Sequence, residues 1–416
     1  MKKTSIKSIQ GLEILDSRGN PTIRAIVTLH DGSRGVAAVP SGASTGSHEA
    51  YELRDEDKKR FDGKGVLKAL HSIHKILSKY LIGENALLQD RIDAIMCDLD
   101  GTKNKSKLGA NAILAISLAN AVAASISKKM PLYRYLQEIG QFSPRMSMPI
   151  PLMNVINGGV HAPSGLEIQE CMIVPHAKKM SDRIRMGVET FMALKKILKT
   201  KSLSTLVGDE GGFAPHLKKN RDAFQLLVDA IVAAGYQPGT DISLATDIAA
   251  NEFYDNSEYI IDGVRKTGNE MISWIEDLIK DFPLILIEDG LAEDDWLSWK
   301  DLTERLGNKV KLVGDDLFVT NSARLSKGIS EKVANAILIK VNQIGTVSET
   351  FKTIHLARAH KYSTIISHRS GETSDTFIAD LAVATSSEFI KTGSLSRSER
   401  VEKYNRLLEI ALELKK

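Results

Sequence analysis

From residue 242 to residue 391 the chain keeps one rhythm: a short apolar run, a charged or titratable residue, then a helical pattern. The runs are Ile242–Thr246, Leu284–Ile287, Val310–Val313, Ala336–Ile339 and Thr364–Ile366. They give way to Asp247, Glu288, Asp315, Lys340 and His368, and the short run Glu388–Ile390 gives way to Lys391. Successive positions lie 41, 27, 25, 28 and 23 residues apart, which suits one βα unit each. Helical patterns fall between them at Ala323–Ile329, Val347–Ala359 and Asp375–Ser386. Alternating strand and helix implies a parallel sheet. An open doubly wound sheet binds ligands in one crevice, whereas a closed (β/α)₈ barrel brings every strand C-terminus to one mouth. Titratable residues at six successive strand ends therefore favour the barrel. No Gly-x-Gly-x-x-Gly follows a strand and no Gly-Lys-Ser/Thr loop occurs, which argues against a nucleotide fold.

The first part of the chain reads differently. Ile23, Ala25, Val27 and Leu29 alternate along Thr22–Leu29, the period of a half-buried strand. Asp31-Gly32-Ser33 signals a turn, and Arg34–Val39 reads as a second strand. Helical patterns follow near 64–80, 90–97 and 108–127. The Pro-rich stretch Gly140–Pro151 reads as a junction. We thus expect an α+β module over 1–139 and the barrel over 140–416, consistent with roughly 150 residues per domain. Leu108–Ser127 carries no charge, but it holds Asn111, Asn120 and several serines and is alanine-rich. It reads as a buried helix rather than a membrane span.

Composition removes several classes. With 43% apolar and 26% charged residues, bulk disorder is excluded. A net charge of +3 predicts no nucleic-acid partner. Cys97 and Cys171 form neither a disulfide scaffold nor a zinc-type pair. Met1-Lys2-Lys3 is not followed by the apolar core of a signal peptide, so the expected location is cytoplasmic.

The strand-end acids Asp247, Glu288 and Asp315 would repel one another at a shared mouth without a cation. Hard carboxylate oxygens suit Mg²⁺. The rival reading is that each acid caps the next helix. Lys340 and Lys391 sharing that mouth with a divalent cation should lower the pKa of at least one, making a general base; the rival is two lysines snorkelling to solvent. Gly208-Asp209-Glu210-Gly211-Gly212 frames a carboxylate pair with glycines. Glu170, beside Gln169, is a second carboxylate whose proximity would raise the pKa of one of the two and yield a general acid. Ser41-Gly42-Ala43-Ser44-Thr45-Gly46 reads as a mobile lid, and His368-Arg369-Ser370-Gly371-Glu372 as a phosphate or carboxylate site.

Together these segments amount to a resemblance. Glu13–Thr22 (EILDSRGNPT), Ser41–Gly46 and Asn157-Gly-Gly-Val-His161 resemble the enolase family. So do Val207–Pro215 (VGDEGGFAP), Gly314–Asn321 (GDDLFVTN), Ser367–Thr373 (SHRSGET) and Ile390–Gly393 (IKTG), in order, from about residue 5 to about residue 412. The resemblance implies an N-terminal α+β cap on an atypical barrel whose opening strands are not simple βα units. It implies Mg²⁺-dependent, reversible dehydration of 2-phosphoglycerate to phosphoenolpyruvate, with two ions per site, the second arriving with substrate. Asp247, Glu288 and Asp315 would hold the first ion and Ser41 the second. Lys340 would be the base, Glu210 the acid and Glu170 its support, with His161 on a closing loop. Gln169, His368, Arg369, Ser370 and Lys391 would contact substrate, as would Lys340. A dimer or dimer-based oligomer is expected. The alternatives are another dehydratase of the superfamily, or a surface-exposed or structural binding protein that meets host proteins through Lys415-Lys416, at the cell surface or secreted without a signal peptide. Departures from the family pattern fall at Gly11-Leu12, Ser164, Cys171 and Ile248, none of them a proposed ligand or proton-transfer residue.

Overall fold

The alternation at 22–29 is a strand in the computed structural model, which describes residues 2–42 and 46–415. Strands β1 (Ile6–Leu15), β2 (Pro21–Leu29) and β3 (Arg34–Ala38) form an antiparallel sheet in that order. The four apolar residues Ile23, Ala25, Val27 and Leu29 are fully buried, as period two requires. Against this sheet packs the uncharged helix Ala110–Ser127. It is long and apolar enough to cross a membrane, but 83% of it is buried inside the protein. Its alanines permit a very close approach: a Cβ on Gly35 of β3 would lie 2.1 Å from the Ala119 carbonyl and 2.2 Å from the Ala123 amide. The pattern near 64–80 is also helical, with its middle turn Ser72–Leu77 widened to i→i+5 bonding.

The chain divides into two units. One comprises Met1–Ser147 together with Ile339–His355 and His368–Ser387; the other comprises Met148–Leu338, Leu356–Ser367 and Glu388–Lys416. A segment that begins at the last residue of a barrel strand, Ile339, and one that directly follows another, His368–Ser387, thus cluster with the N-terminal sheet and its helices.

The barrel strands are β4 (Ile150–Asn157), β5 (Glu170–Pro175) and β6 (Ile242–Asp247), then, after a small antiparallel meander of β7 (Tyr254–Asp255), β8 (Glu258–Ile261) and β9 (Val264–Lys266), β10 (Leu284–Glu288), β11 (Lys311–Gly314), β12 (Ala336–Ile339), β13 (Ser363–Ser367) and β14 (Phe389–Lys391). The eight close in the cyclic order β4-β5-β6-β10-β11-β12-β13-β14. Alternate residues fill the interior: Leu152, Met172, Val174, Ala245, Leu286, Val313, Ala336, Leu338, Ile365 and Phe389 make one buried cluster. The one irregularity that matters for the site is β5. It pairs antiparallel with both β4 and β6, so that Glu170, its first residue, lies opposite Asn157 and Asp247, the last residues of its neighbours. A strand start therefore sits among strand ends.

Helix caps fall elsewhere. Asp295 caps Trp296–Leu306 after β10, Asn321 caps Ser322–Glu331 after β11, and Thr267 and Glu270 form a reciprocal capping box. Glu288 and Asp315 precede those helices by several residues and do not cap them.

Candidate active site

Asp247 and Glu288 close β6 and β10 and lie directly opposite each other in the parallel register. Asp315 follows β11, the next strand round the barrel. All three are buried. Lys391, the last residue of β14, reaches into this acidic ring. Its Nζ lies 2.8 Å from Glu288 Oε1, 2.9 Å from Asp247 Oδ2 and 3.1 Å from Glu170 Oε1. One fully buried ammonium thus faces three buried carboxylates.

The electrostatics follow. Burial alone would push the Lys391 pKa down, but Asp247, Glu170, Glu288 and Glu210 outweigh it and hold the ammonium well above its ordinary value. Of the two lysines expected to share the mouth, Lys391 is thus held as a cation by the acids around it. Burial raises the Glu288 pKa well above the ordinary range, with Asp247 and Asp315 adding to the effect and Lys391 opposing it. Glu170 is likewise raised, by burial first and then by the charge of Glu210. The expected carboxylate pair is real, and Glu170 carries a raised pKa.

Glu210 arrives from the glycine-framed loop. Asn154, a buried residue of β4, donates from Nδ2 to Glu210 Oε2 at 3.0 Å. His161, in the short turn Gly159–His161, places Nδ1 3.7 Å from Glu210 Oε1 and 4.0 Å from Glu170 Oε1. Burial depresses the His161 pKa, against the pull of the surrounding acids. Gln169 is buried next to Glu170, and its Oε1 meets no hydrogen-bond donor among the described residues.

The donor set fits a hard cation. At the strand ends the candidate ligands Asp247, Glu288 and Asp315 offer carboxylate oxygens, and one ammonium cannot neutralise this many buried acids. Glu288 Oε2 and Glu170 Oε2 are buried without a hydrogen-bond partner among the described residues, a costly state that a cation would relieve. Among the described residues, two groups hold all their ligand atoms within 4.8 Å of one another: His161, Glu170 and Glu210, and Asp289, Asp315 and Asp316. Asp247, Glu288 and Asp315 do not form so tight a set, and the Lys391 ammonium contacts both Asp247 and Glu288. Asp289 and Asn154 belong to the site by their contacts, and strand-end patterning does not single them out. Asp289 accepts the backbone amides of Asp315 and Asp316 at 2.9 and 2.8 Å and so shapes the end of β11. The acidic doublets Glu288-Asp289 and Asp315-Asp316 are its signal in the sequence.

The other unit carries the remaining candidates. Lys340 directly follows β12, is half-buried, and precedes the short helix Val341–Ile344. His368, Arg369 and Ser370 follow β13 and are buried. The Arg369 guanidinium forms a two-pronged pair with Glu49, at 2.8 and 3.1 Å, and a further bond to Asn342 Oδ1 at 3.1 Å. An anion reaching Arg369 must share or displace Glu49. Ser41 bridges to Gly371 through paired backbone bonds, and its hydroxyl donates to Asp16 Oδ2 at 2.7 Å while Arg18 approaches at 3.3 Å. Of the lid segment, Ala43, Ser44 and Thr45 lie outside the described residues, as does Lys416; Lys415 is exposed. Of the departures, Cys171 and Ile248 occupy buried sites, Ser164 is buried in the loop after His161, and Leu12 is exposed on β1.

A closed barrel with buried carboxylates and a lysine at its strand ends defines a class of protein, the barrel that gathers its functional groups at one mouth. The chain matches "Enolase, N-terminal domain" over residues 6–136 and "Enolase, C-terminal TIM barrel domain" over residues 145–416. It belongs to the enolase family.

Proposed function

We propose that this protein catalyses the reversible, Mg²⁺-dependent dehydration of 2-phosphoglycerate to phosphoenolpyruvate. The observation that supports this most is the charge arrangement at the barrel strand ends: Glu170, Asp247 and Glu288 around Lys391, with Asp315 on the next strand. The substrate is a phosphorylated hydroxy acid, strongly anionic, and its C2 proton sits beside a carboxylate that resists further negative charge. Asp247, Glu288 and Asp315 would hold Mg²⁺, whose positive charge stabilises the carboxylate as its charge builds.

The chain's own residues supply the rest. Lys340 removes the C2 proton. The leaving hydroxide departs only when protonated, and Glu210 gives that proton. Glu170 lies beside Glu210 in a buried pocket, where burial and the Glu210 charge raise its pKa and so favour a proton on the pair. Asn154 orients the Glu210 carboxyl through its hydrogen bond, and His161 lies beside it at 3.7 Å. Arg369 and Ser370 receive the phosphate, with Glu49 holding the guanidinium in a defined plane until then. Lys391 holds its charge and keeps the acids organised; with Gln169 and His368 it contacts the substrate. Ser41 is assigned to a second ion, a role that requires its hydroxyl to leave Asp16. In this reading the enzyme works in the cytoplasm as a dimer-based oligomer.

The test is growth of phosphoenolpyruvate absorbance on adding 2-phosphoglycerate. The reading expects turnover with Mg²⁺, its loss in excess chelator, and its recovery when Mg²⁺ is returned. Dehydration of an acid sugar with no action on 2-phosphoglycerate would replace this reading with another activity of the superfamily.

A further inference from the structure

The loop that carries Glu210 is tied down carbonyl by carbonyl from one short stretch of chain. Arg397 Nη1 donates to the Gly208 carbonyl at 3.2 Å, and Arg400 Nη2 to the Asp209 carbonyl at 3.2 Å. The Ser394 amide donates to the Glu210 carbonyl at 2.9 Å, and the Ser396 hydroxyl to the Gly211 carbonyl at 2.6 Å. Four consecutive carbonyls thus each receive a donor from residues 394–400.

The two backbones approach so closely that glycine is required on both sides. A Cβ on Gly211, whose φ is +86°, would lie 2.5 Å from the Ser396 carbonyl. A Cβ on Gly393, at φ +78°, would lie 2.9 Å from the Glu210 carbonyl. The arginines are also in a place that helix electrostatics disfavour. Arg397 precedes, and Arg400 occupies, the first turn of the helix Ser398–Glu413, where the dipole repels cations. Arg400 is moreover fully buried. A buried cation at the positive end of a helix costs stability, and there Arg400 meets the Asp209 carbonyl as well as the Glu399 carboxylate, 3.6 Å from its Nε.

We propose that Ser394–Arg400 is a splint that positions the Glu210 carboxyl, with Arg400 and Ser396 as positioning residues for the acid step. The splint fixes the main chain on either side of Glu210, while Asn154 fixes its carboxylate. Lys391 lies three residues before Ser394, so one stretch of chain organises both the acid ring and the acid. This inference rests on Glu210 being the proton donor to the leaving hydroxide.

The experiment compares full-length Ser396→Ala, Arg400→Lys, Arg400→Met and Glu210→Gln with the parent. Two quantities are read. Hydrogen–deuterium exchange by mass spectrometry reports the amides of the 206–214 peptide. NMR of 2-phosphoglycerate with Mg²⁺ in deuterated water reports C2–H exchange and dehydration separately. Ser396→Ala and Arg400→Lys should speed amide exchange in the loop. They should slow dehydration by ~10–100-fold, the scale on which a catalytic group displaced by about an ångström loses rate, while C2–H exchange stays within ~3-fold. Arg400→Lys should be milder than Arg400→Met. Loop amides that exchange as in the parent would overturn the splint. Faster loop exchange with dehydration and C2–H exchange unchanged, or falling in equal proportion, would overturn the positioning role. Ser396→Ala removes a single hydroxyl and supplies both measurements where the buried arginine variants fail to fold. If Glu210→Gln dehydrates at the parental rate, the acid assignment fails instead, and the amide exchange still reports on the splint.

Discussion

Lys391 shows how a single buried residue sets the state of the site. Its ammonium contacts Glu170, Asp247 and Glu288, and replacing it with methionine would leave three buried acids without their cation. Breaking a buried ion pair from one side costs roughly 3–5 kcal/mol. Lys391→Met should therefore melt well below the parent in chelator, and added Mg²⁺ should raise its melting temperature more than it raises the parent's. Equal melting in chelator would show that the ammonium is not the counter-ion. Because the folded pKa of Lys391 is raised, this stability is fully present at neutral pH and is lost only above the ordinary lysine range. Asp93 works in the opposite sense. Burial pushes its carboxyl up to about 6 despite bonds from Ser348 and Gln89. Between about pH 4 and pH 6 the folded chain keeps a proton that the unfolded chain has released, so stability falls as pH rises through that window and is level above it. A shift of about two units corresponds to about 3 kcal/mol. Asp93→Asn should gain that much relative to the parent between pH 4 and pH 7, measured by denaturant titration at each pH; a constant difference would contradict the buried-acid account. At this scale the sequence shows which side chains end strands, since each follows an apolar run. It does not show how many acids surround one ammonium, and that number is what holds Lys391 as a cation.

Among the elements, the helix Ala110–Ser127 and β3 are packed as tightly as backbone permits. A Cβ on Gly35 would sit 2.1 Å from the Ala119 carbonyl, so Gly35→Ala must push the helix off the sheet. Overpacking of this kind costs about 1–3 kcal/mol. The variant should melt several degrees below the parent, and an unchanged melting temperature would refute the contact. The strands β6, β10, β12 and β13 are legible in the sequence because apolar runs of four to six residues are bounded by charged residues and helical periods. β1 is not: in IKSIQGLEIL only Ile6 and Ile9 are buried, so no alternation marks it. The direction of β5 is not legible from its residues either. An apolar run has the same composition in both directions, and only pairing with β4 and β6 shows that Glu170 is a strand start among strand ends. The family resemblance supplies the expectation that the opening strands are irregular; the antiparallel β5 is that irregularity.

For the whole molecule, the repeat of titratable strand ends already implies a closed barrel, and the eight strands close. What periodicity cannot give is the discontinuous make-up of the two units, in which residues 339–355 and 368–387 cluster with the N-terminal sheet and its helices rather than with the barrel strands they follow. Contacts between distant stretches of chain decide that, and local pattern does not encode them. The proposed chemistry depends on a division of labour between Lys340, which takes a proton from carbon, and Glu210, which gives one to oxygen. NMR of 2-phosphoglycerate with Mg²⁺ in deuterated water, applied to Glu210→Gln and Lys340→Ala, tests it directly. Glu210→Gln should still exchange the C2 hydrogen while dehydration falls by at least ~10²–10⁴-fold, and Lys340→Ala should lose exchange and dehydration together. Exchange that persists in Lys340→Ala and vanishes in Glu210→Gln would contradict this division.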